Sequence, residues 1–252
     1  MKERLELFSF PFWDISPEEL ISGVLDFCKL EGFHTVNYLN PHACVLARKD
    51  EAFSQALHTS DLTWCDGQGI VLACRVLGIT VQHRWTLPDQ IDAIFTRLAK
   101  AGLSTFFIGE QEKDLFQFLE TVRKKHPQLN VIGGHPGYFS LDSDEAERLI
   151  DRLQYEKPDV IFVGTGMPRQ EILGMRMKAR LHQGVAFSAG ALFLYFAGLE
   201  KRCPSFFSRH GLEWFYRLVR NPRRYFRRYV IENTVFIWRV LLSAFRQRCA
   251  PS

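Results

Sequence analysis

The chain has 252 residues, 46% of them hydrophobic, with 17 glycines, 11 prolines and a formal net charge of +4. That composition excludes a collagen-like, low-complexity or disulfide-scaffold protein and is enough for one substantial core with an appendage beside it. The charge is unevenly held: residues 201–252 carry twelve lysines and arginines against only Glu213 and Glu232, so a basic tail follows an acidic body.

Lys2, Glu3, Arg4 and Glu6 interrupt any apolar run at the start, so no signal peptide is read there. Ser16-Pro17-Glu18-Glu19 is a capping box with proline at the first helical position, predicting a helix to about Leu30. Apolar runs at 33–39, 61–65, 104–108, 129–133, 159–163 and 184–188 are of strand length, and helical patterns separate them. The alternation predicts a Rossmann-like α/β fold, a mainly parallel sheet with flanking helices. In such a fold ligands bind at the carboxyl ends of the strands. The loops that matter are therefore Asn40-Pro41, Asp66-Gly67-Gln68-Gly69, Gly109-Glu110, Gly164 to Glu171, and Ala189-Gly190-Ala191.

The body gives way near Arg202-Cys203-Pro204, which predicts an α/β unit over 1–204 and a basic, amphipathic helical appendage over 205–252. Asn221-Pro222 reads as an N-cap and first turn, splitting the tail into helices at about 211–220 and 222–247. Its longest apolar stretch, Thr234 to Phe245, contains Arg239 and is shorter than the roughly 20 residues a membrane span requires. The tail is expected to lie on a membrane without crossing it, on a cytoplasmic protein. The six cysteines form no CxxC pair and no zinc spacing, a usage that suits a reducing compartment.

Asp66 follows the strand Leu62-Thr63-Trp64-Cys65, and Gly67 after it lets a ligand approach the backbone; a carboxylate so placed suits a general base. The plainer alternative is a turn-forming Asp that caps a helix starting near Ile70. Gly164-Thr165-Gly166-Met167-Pro168 offers backbone N–H groups near a helix N-terminus, a possible anion site. It lacks the third glycine of a dinucleotide fingerprint and the lysine of a P-loop, which argues against a nucleotide-dependent oxidoreductase. Arg169, Gln170 and Glu171 crowd the same strand end. Asp142-Ser143-Asp144 matches a DxD metal motif, but it precedes a helical pattern near Ala146 and is read as capping, with no metal and no cofactor expected. The histidines show no HExxH, and no GxSxG elbow appears.

In the tail, Arg209, Arg217, Arg220, Arg223, Arg224, Arg227 and Arg228 stand among Trp214, Phe215, Tyr216, Tyr225, Phe226 and Tyr229. Like charges so crowded require an anionic partner: a phosphorylated small molecule, a membrane surface or nucleic acid. Nucleic acid is disfavoured, since no RNA-binding motif is present. The apolar residues Val230, Ile231, Val235, Phe236, Trp238, Leu241, Leu242 and Phe245 resemble an interfacial helix.

Together these features resemble the WecG/TagA/CpsF family of bacterial glycosyltransferases over roughly residues 30–230. The resemblance rests on Asn40-Pro41, Asp66-Gly67, Gly137-Tyr138-Phe139, Gly164-x-Gly-x-Pro-Arg-Gln-Glu171, Arg202-x-Pro204 and Gly211-Leu-Glu-Trp-Phe-Tyr-Arg217. It implies an inverting, metal-independent enzyme on the inner face of the bacterial cell membrane. Such an enzyme moves a sugar (N-acetylmannosamine, its uronic acid or a glucose-type sugar) from a UDP-sugar to a polyprenyl-diphosphate-linked saccharide in cell-surface polysaccharide synthesis. It also implies roles: Asp66 as base; Asn40, Arg84 and Gln170 at the substrate; and Arg217, Arg224 and Arg227 folded over the diphosphate. Gly67, Gly164, Gly166 and Glu171 complete the expected substrate-binding set, and a homo-oligomer is possible. The chain departs from the family pattern at Tyr38, where many members have Thr, at Leu87-Pro88 and at Leu194. A non-catalytic membrane adaptor of a polysaccharide assembly complex is the alternative.

Overall fold

The structure is a computed structural model that describes residues 4–201, 203–204, 207 and 211–249; Arg202 and Arg209 lie outside them, as does the side chain of Arg224. The described residues form one eight-stranded sheet in the order β1-β2-β4-β3-β8-β7-β5-β6. Its strands are β1 (Arg4–Leu7), β2 (Phe10–Trp13), β3 (Gly32–Leu39), β4 (Leu62–Cys65), β5 (Ser104–Gly109), β6 (Asn130–His135), β7 (Val160–Gly164) and β8 (Gln183–Ser188). Every neighbouring pair is parallel except β1 with β2. This is the expected Rossmann-like α/β fold, and β3 to β8 are the six expected strands.

The helices on its faces are α1 (Pro17–Phe27), α2 (Pro41–Leu46), α3 (Glu51–His58), α4 (Gln68–Val76), α5 (Leu87–Lys100), α6 (Glu112–Lys125), α7 (Asp144–Glu156), α8 (Arg169–Arg180) and α9 (Leu192–Phe196). The capping box forms as read: the Ser16 N–H donates to Glu19 Oε2 at 2.8 Å and the Glu19 N–H to Ser16 Oγ at 3.2 Å. Central strands buried on both faces supply a core rich in aromatic rings, among them Trp64, Phe107, Phe162 and Phe187.

The hairpin β1–β2 was not expected. Its turn residues Phe8 and Ser9 both hold left-handed backbone, φ 55° and 72°, where Asn-Gly is the usual signal. Phe8 has a tertiary reason to be there. Its ring lies 5.9 Å from that of Phe236 and 4.2 Å from the Arg239 guanidinium.

Those two residues belong to the tail, which comprises α10 (Glu213–Arg220), α11 (Pro222–Phe226), a π-helical turn (Arg227–Glu232) and α12 (Asn233–Cys249). Phe236 and Val240 of α12 are buried with Leu7, Phe10, Cys44 and Ile70 of the body. Arg239 Nη1 donates to the Cys44 carbonyl at 3.1 Å. The opposite residues Trp238 and Phe245 are 62% and 66% exposed. Among the described residues no helix is long and apolar enough to cross a membrane.

Candidate active site

The carboxyl ends of β3, β4, β7 and β8 open into one cleft of about 1760 Å³, and the tail closes its far side. A single small-molecule ligand needs roughly 300–1,000 Å³, so the cleft has room for two substrates. Asn40, Asp66, Gly67, Arg84, Gly164, Gly166, Arg217 and Arg227 all line it.

Asp66 sits where β4 ends, its backbone N–H donating to the Leu39 carbonyl at 2.9 Å, which ties it to the end of β3. It does not cap the next helix. That helix starts at Gln68, its N-cap is Gly67 at φ 86°, and no side chain caps it. This corrects the capping alternative and leaves the carboxylate facing the cleft. Asn40 does cap α2: its Oδ1 accepts from the Ala43 N–H at 2.9 Å. With the carbonyl oxygen engaged, the amide NH₂ is the group that hydrogen-bonds Asp66. Burial, then the Glu213 carboxylate, push Asp66 up to about 6, against the Asn40 hydrogen bond and the Arg217 and Arg228 guanidinium groups. A carboxyl poised there is ionised at neutral pH and still basic enough to take a proton.

Gln170 and Glu171 are 1% and 0% exposed and lie behind the cleft wall. Gln170 Nε2 donates to Glu171 Oε1 at 2.7 Å and to the Tyr38 hydroxyl at 3.2 Å, while its Oε1 accepts from the Gly190 N–H at 3.0 Å. Its amide therefore binds protein, fixing Tyr38 and the Gly190 loop, both of which line the cleft. Burial pushes Glu171 up to about 7, and its Oε2 has no hydrogen-bond partner among the described residues. Gly164 is required by packing: a Cβ there would meet the Phe193 ring at 3.0 Å and the Gly190 carbonyl at 3.1 Å. Gly166 holds φ 76°. Arg169 lines the cleft and donates to the Gly137 and Phe139 carbonyls, pinning the loop that carries Tyr138.

The tail brings its charges to the same place. Arg217 is half-buried, ion-paired to Glu213 and 5.3 Å from the Tyr195 ring centre. Arg227 is mostly exposed, 3.9 Å from Glu232. Glu232 is itself buried and reaches His42 Nδ1 at 2.5 Å, joining the π-helical turn to α2 beside Asn40. Three participants escaped the sequence reading: Arg228, which faces Asp66, and the carboxylates Glu213 and Glu232. Arg228 was counted within the cluster, and helical spacing alone does not say which of its members turns inward.

Asp142-Ser143-Asp144 is a helix cap: Ser143 is the N-cap of α7 and Asp142 pairs with Arg176 at 2.6 Å. Among the described residues no three His, Cys, Asp or Glu side chains converge as a metal site. Burial pushes the Cys44, Cys65 and Cys74 thiols up, Cys74 to about 11, so these act as small apolar residues.

Residues 5–250 match the model of the glycosyl transferase WecG/TagA/CpsF family. The chain is 30% identical over 186 residues to a Bacillus spizizenii protein named N-acetylglucosaminyldiphosphoundecaprenol N-acetyl-beta-D-mannosaminyltransferase, covering 74% of this chain and 71% of that one. Proteins of the same name from Bacillus subtilis and Staphylococcus aureus are 27% and 26% identical, over 75% and 73% of this chain and 73% and 71% of theirs. The chain belongs to the WecG/TagA/CpsF family and is a glycosyltransferase.

Proposed function

We propose that this WecG/TagA/CpsF-family enzyme transfers N-acetylmannosamine from UDP to a hydroxyl of a polyprenyl-diphosphate-linked N-acetylglucosamine, in the synthesis of a cell-surface polysaccharide. The relatives' names supply the sugar and the acceptor. The observation that carries the reading is Asp66, a cleft carboxylate held near pH 6 between the Asn40 amide and the arginines of the tail.

In the proposed step the acceptor oxygen attacks the anomeric carbon while its proton passes to Asp66. The bond from that carbon to the β-phosphate oxygen breaks with its electron pair, leaving UDP, and the sugar inverts. The departing diphosphate gathers negative charge, which fixed cations stabilise best where water is excluded. Arg217 and Arg228 supply that charge, joined by Arg227 and Arg224 of the same segment, and guanidinium suits phosphate through its planar donor fork. On this reading the reaction needs no metal ion. Arg84 and the Gly164–Gly166 turn are assigned to the donor, Gln170 and Glu171 to holding the wall behind it. The tail's outer aromatic and apolar side chains are assigned to the cytoplasmic membrane surface.

The test is release of UDP from UDP-N-acetylmannosamine with a prenyl-diphosphate-linked N-acetylglucosamine, with chelator present. Turnover that Asp66→Asn abolishes is the expected result. No release with any lipid-linked acceptor would return the chain to the adaptor role, and release that disappears with chelator and returns with magnesium would remove the arginines from the central part.

A further inference from the structure

The cleft does not end at its polar residues. From Asp66 and Gly67 its lining continues along α4 through Leu72 and Val76, and across to Ile237 and Leu241 of α12. These four are not core residues: they are 48%, 51%, 56% and 54% exposed, whereas α4 buries Ile70, Ala73 and Cys74 and α12 buries Phe236 and Val240. Spacing of four residues sets each pair on one helical stripe, so two apolar stripes border one cavity. Thr234, also on this wall, donates its hydroxyl to the Val230 carbonyl at 2.6 Å, which removes a polar group from the groove.

The lining combines the Asp66 base, a collar of Arg227, Arg228 and the His42–Glu232 pair, and these two apolar stripes. In the proposed step the arginines meet the donor's departing diphosphate, so the stripes are left for another ligand. The acceptor under the proposed function carries a hydrocarbon chain, an apolar group that must lie beside the cleft when its sugar hydroxyl reaches Asp66. We propose that the groove between α4 and α12 is the binding site for the first isoprene units of the acceptor's lipid chain. The inference rests on that function and extends it from the reacting end to the chain. From Gln68 to Val76 the helix rises about 12 Å, long enough to hold the first isoprene units clear of the bilayer. Trp238 and Phe245, exposed on α12 but outside the cavity lining, are left to face the membrane.

The experiment compares two diphosphate-linked acceptors in vesicle-free buffer, one with a single short isoprenoid tail and one with several units, and reads the long-to-short ratio of kcat/KM. A preference for the long acceptor of about tenfold or more is expected, because each methylene buried changes affinity about fourfold. Leu72→Glu and Leu241→Glu should bring that ratio close to one, and Trp238→Glu should leave it intact. Leu72→Gln and Leu241→Gln repeat the test without a charge should the first pair unfold. A ratio near one in the unaltered enzyme, or a ratio that falls with Trp238→Glu and not with the groove variants, overturns the site. Absence of UDP release with either acceptor instead overturns the proposed function beneath it.

Discussion

Asn40→Ser separates two jobs that one side chain performs. Serine caps a helix as well as asparagine, so α2 should keep its N-cap bond to Ala43 and the Tm should stay within the effect of a neutral substitution. The shorter side chain has no NH₂ to give Asp66. A hydrogen bond to a charged group contributes about 1.5–3 kcal/mol, equivalent to roughly one to two pKa units. The bond favours the ionised carboxylate, so its loss raises Asp66 from about 6 toward about 7 or 8. At pH 7 the ionised fraction then falls from about nine-tenths to between about a half and a tenth, and kcat/KM falls about two- to ninefold. The loss is recovered by pH 9. The assay is the pH profile of kcat/KM by UDP release, with thermal unfolding of both proteins alongside. An acidic limb that stays near pH 6, or moves down, would refute the assignment of Asp66 as the base tuned by Asn40.

Asp66→Asn should lower kcat by about 10²–10⁴ and leave UDP binding measurable by calorimetry, as expected for loss of a general base. The same variant should unfold at a higher temperature at pH 7.5. The folded carboxyl titrates near 6 against an ordinary 3.8, so its ionisation destabilises the fold by up to about 3 kcal/mol above pH 6 and by nothing below pH 3.8. Glu171→Gln should act likewise on stability alone. With the folded group at about 7 and an ordinary value of 4.5, the unaltered enzyme loses stability as pH rises between them. The variant keeps a group that accepts from Gln170, and its Tm should fall less between pH 5 and pH 8. Arg228→Ala should reduce kcat by about 10²-fold and move the acidic limb upward, since a cation facing Asp66 is lost; an unmoved limb would place Arg228 away from the base.

Strand positions were legible because buried parallel strands read as apolar runs, and β3 to β8 lie where Phe33 to Leu39 and its counterparts announce them. The hairpin was not, because Phe8-Ser9 carries no turn chemistry and Pro11 argues against a strand; contacts with Phe236 and Arg239, more than 200 residues away, compensate. That the strand-end glycines and Asp66 line the cleft was legible from position alone. What Gln170 does was not, since a polar residue after a strand can point into the cleft or behind it, and only packing against Tyr38 and Gly190 decides. The tail's positive charge was plain in composition. Its partition into inward Arg217 and Arg228 and exposed Arg227 depends on how the helices dock.

That docking hangs on the π-helical turn at Arg227–Glu232. Such a turn holds one residue more than an α-turn and is common at functional sites. Its first two residues are Arg227 and Arg228, and beyond its end come Phe236 and Val240, which seat α12 in the body. One residue corresponds to about 100° of rotation, so the extra residue sets the angle between cationic collar and apolar anchor. Deleting Ile231, which is exposed, should let a regular α-helix form through the segment and turn those two faces out of register. If the anchor stays seated, Arg228 swings away from Asp66; if Arg228 stays, Phe236 leaves the core. Either way kcat should fall at least as far as in Arg228→Ala, while the far-ultraviolet circular dichroism of the helices persists. Transfer at the unaltered rate would show that the collar finds the leaving group without the turn, and that the tail's register plays no part in catalysis.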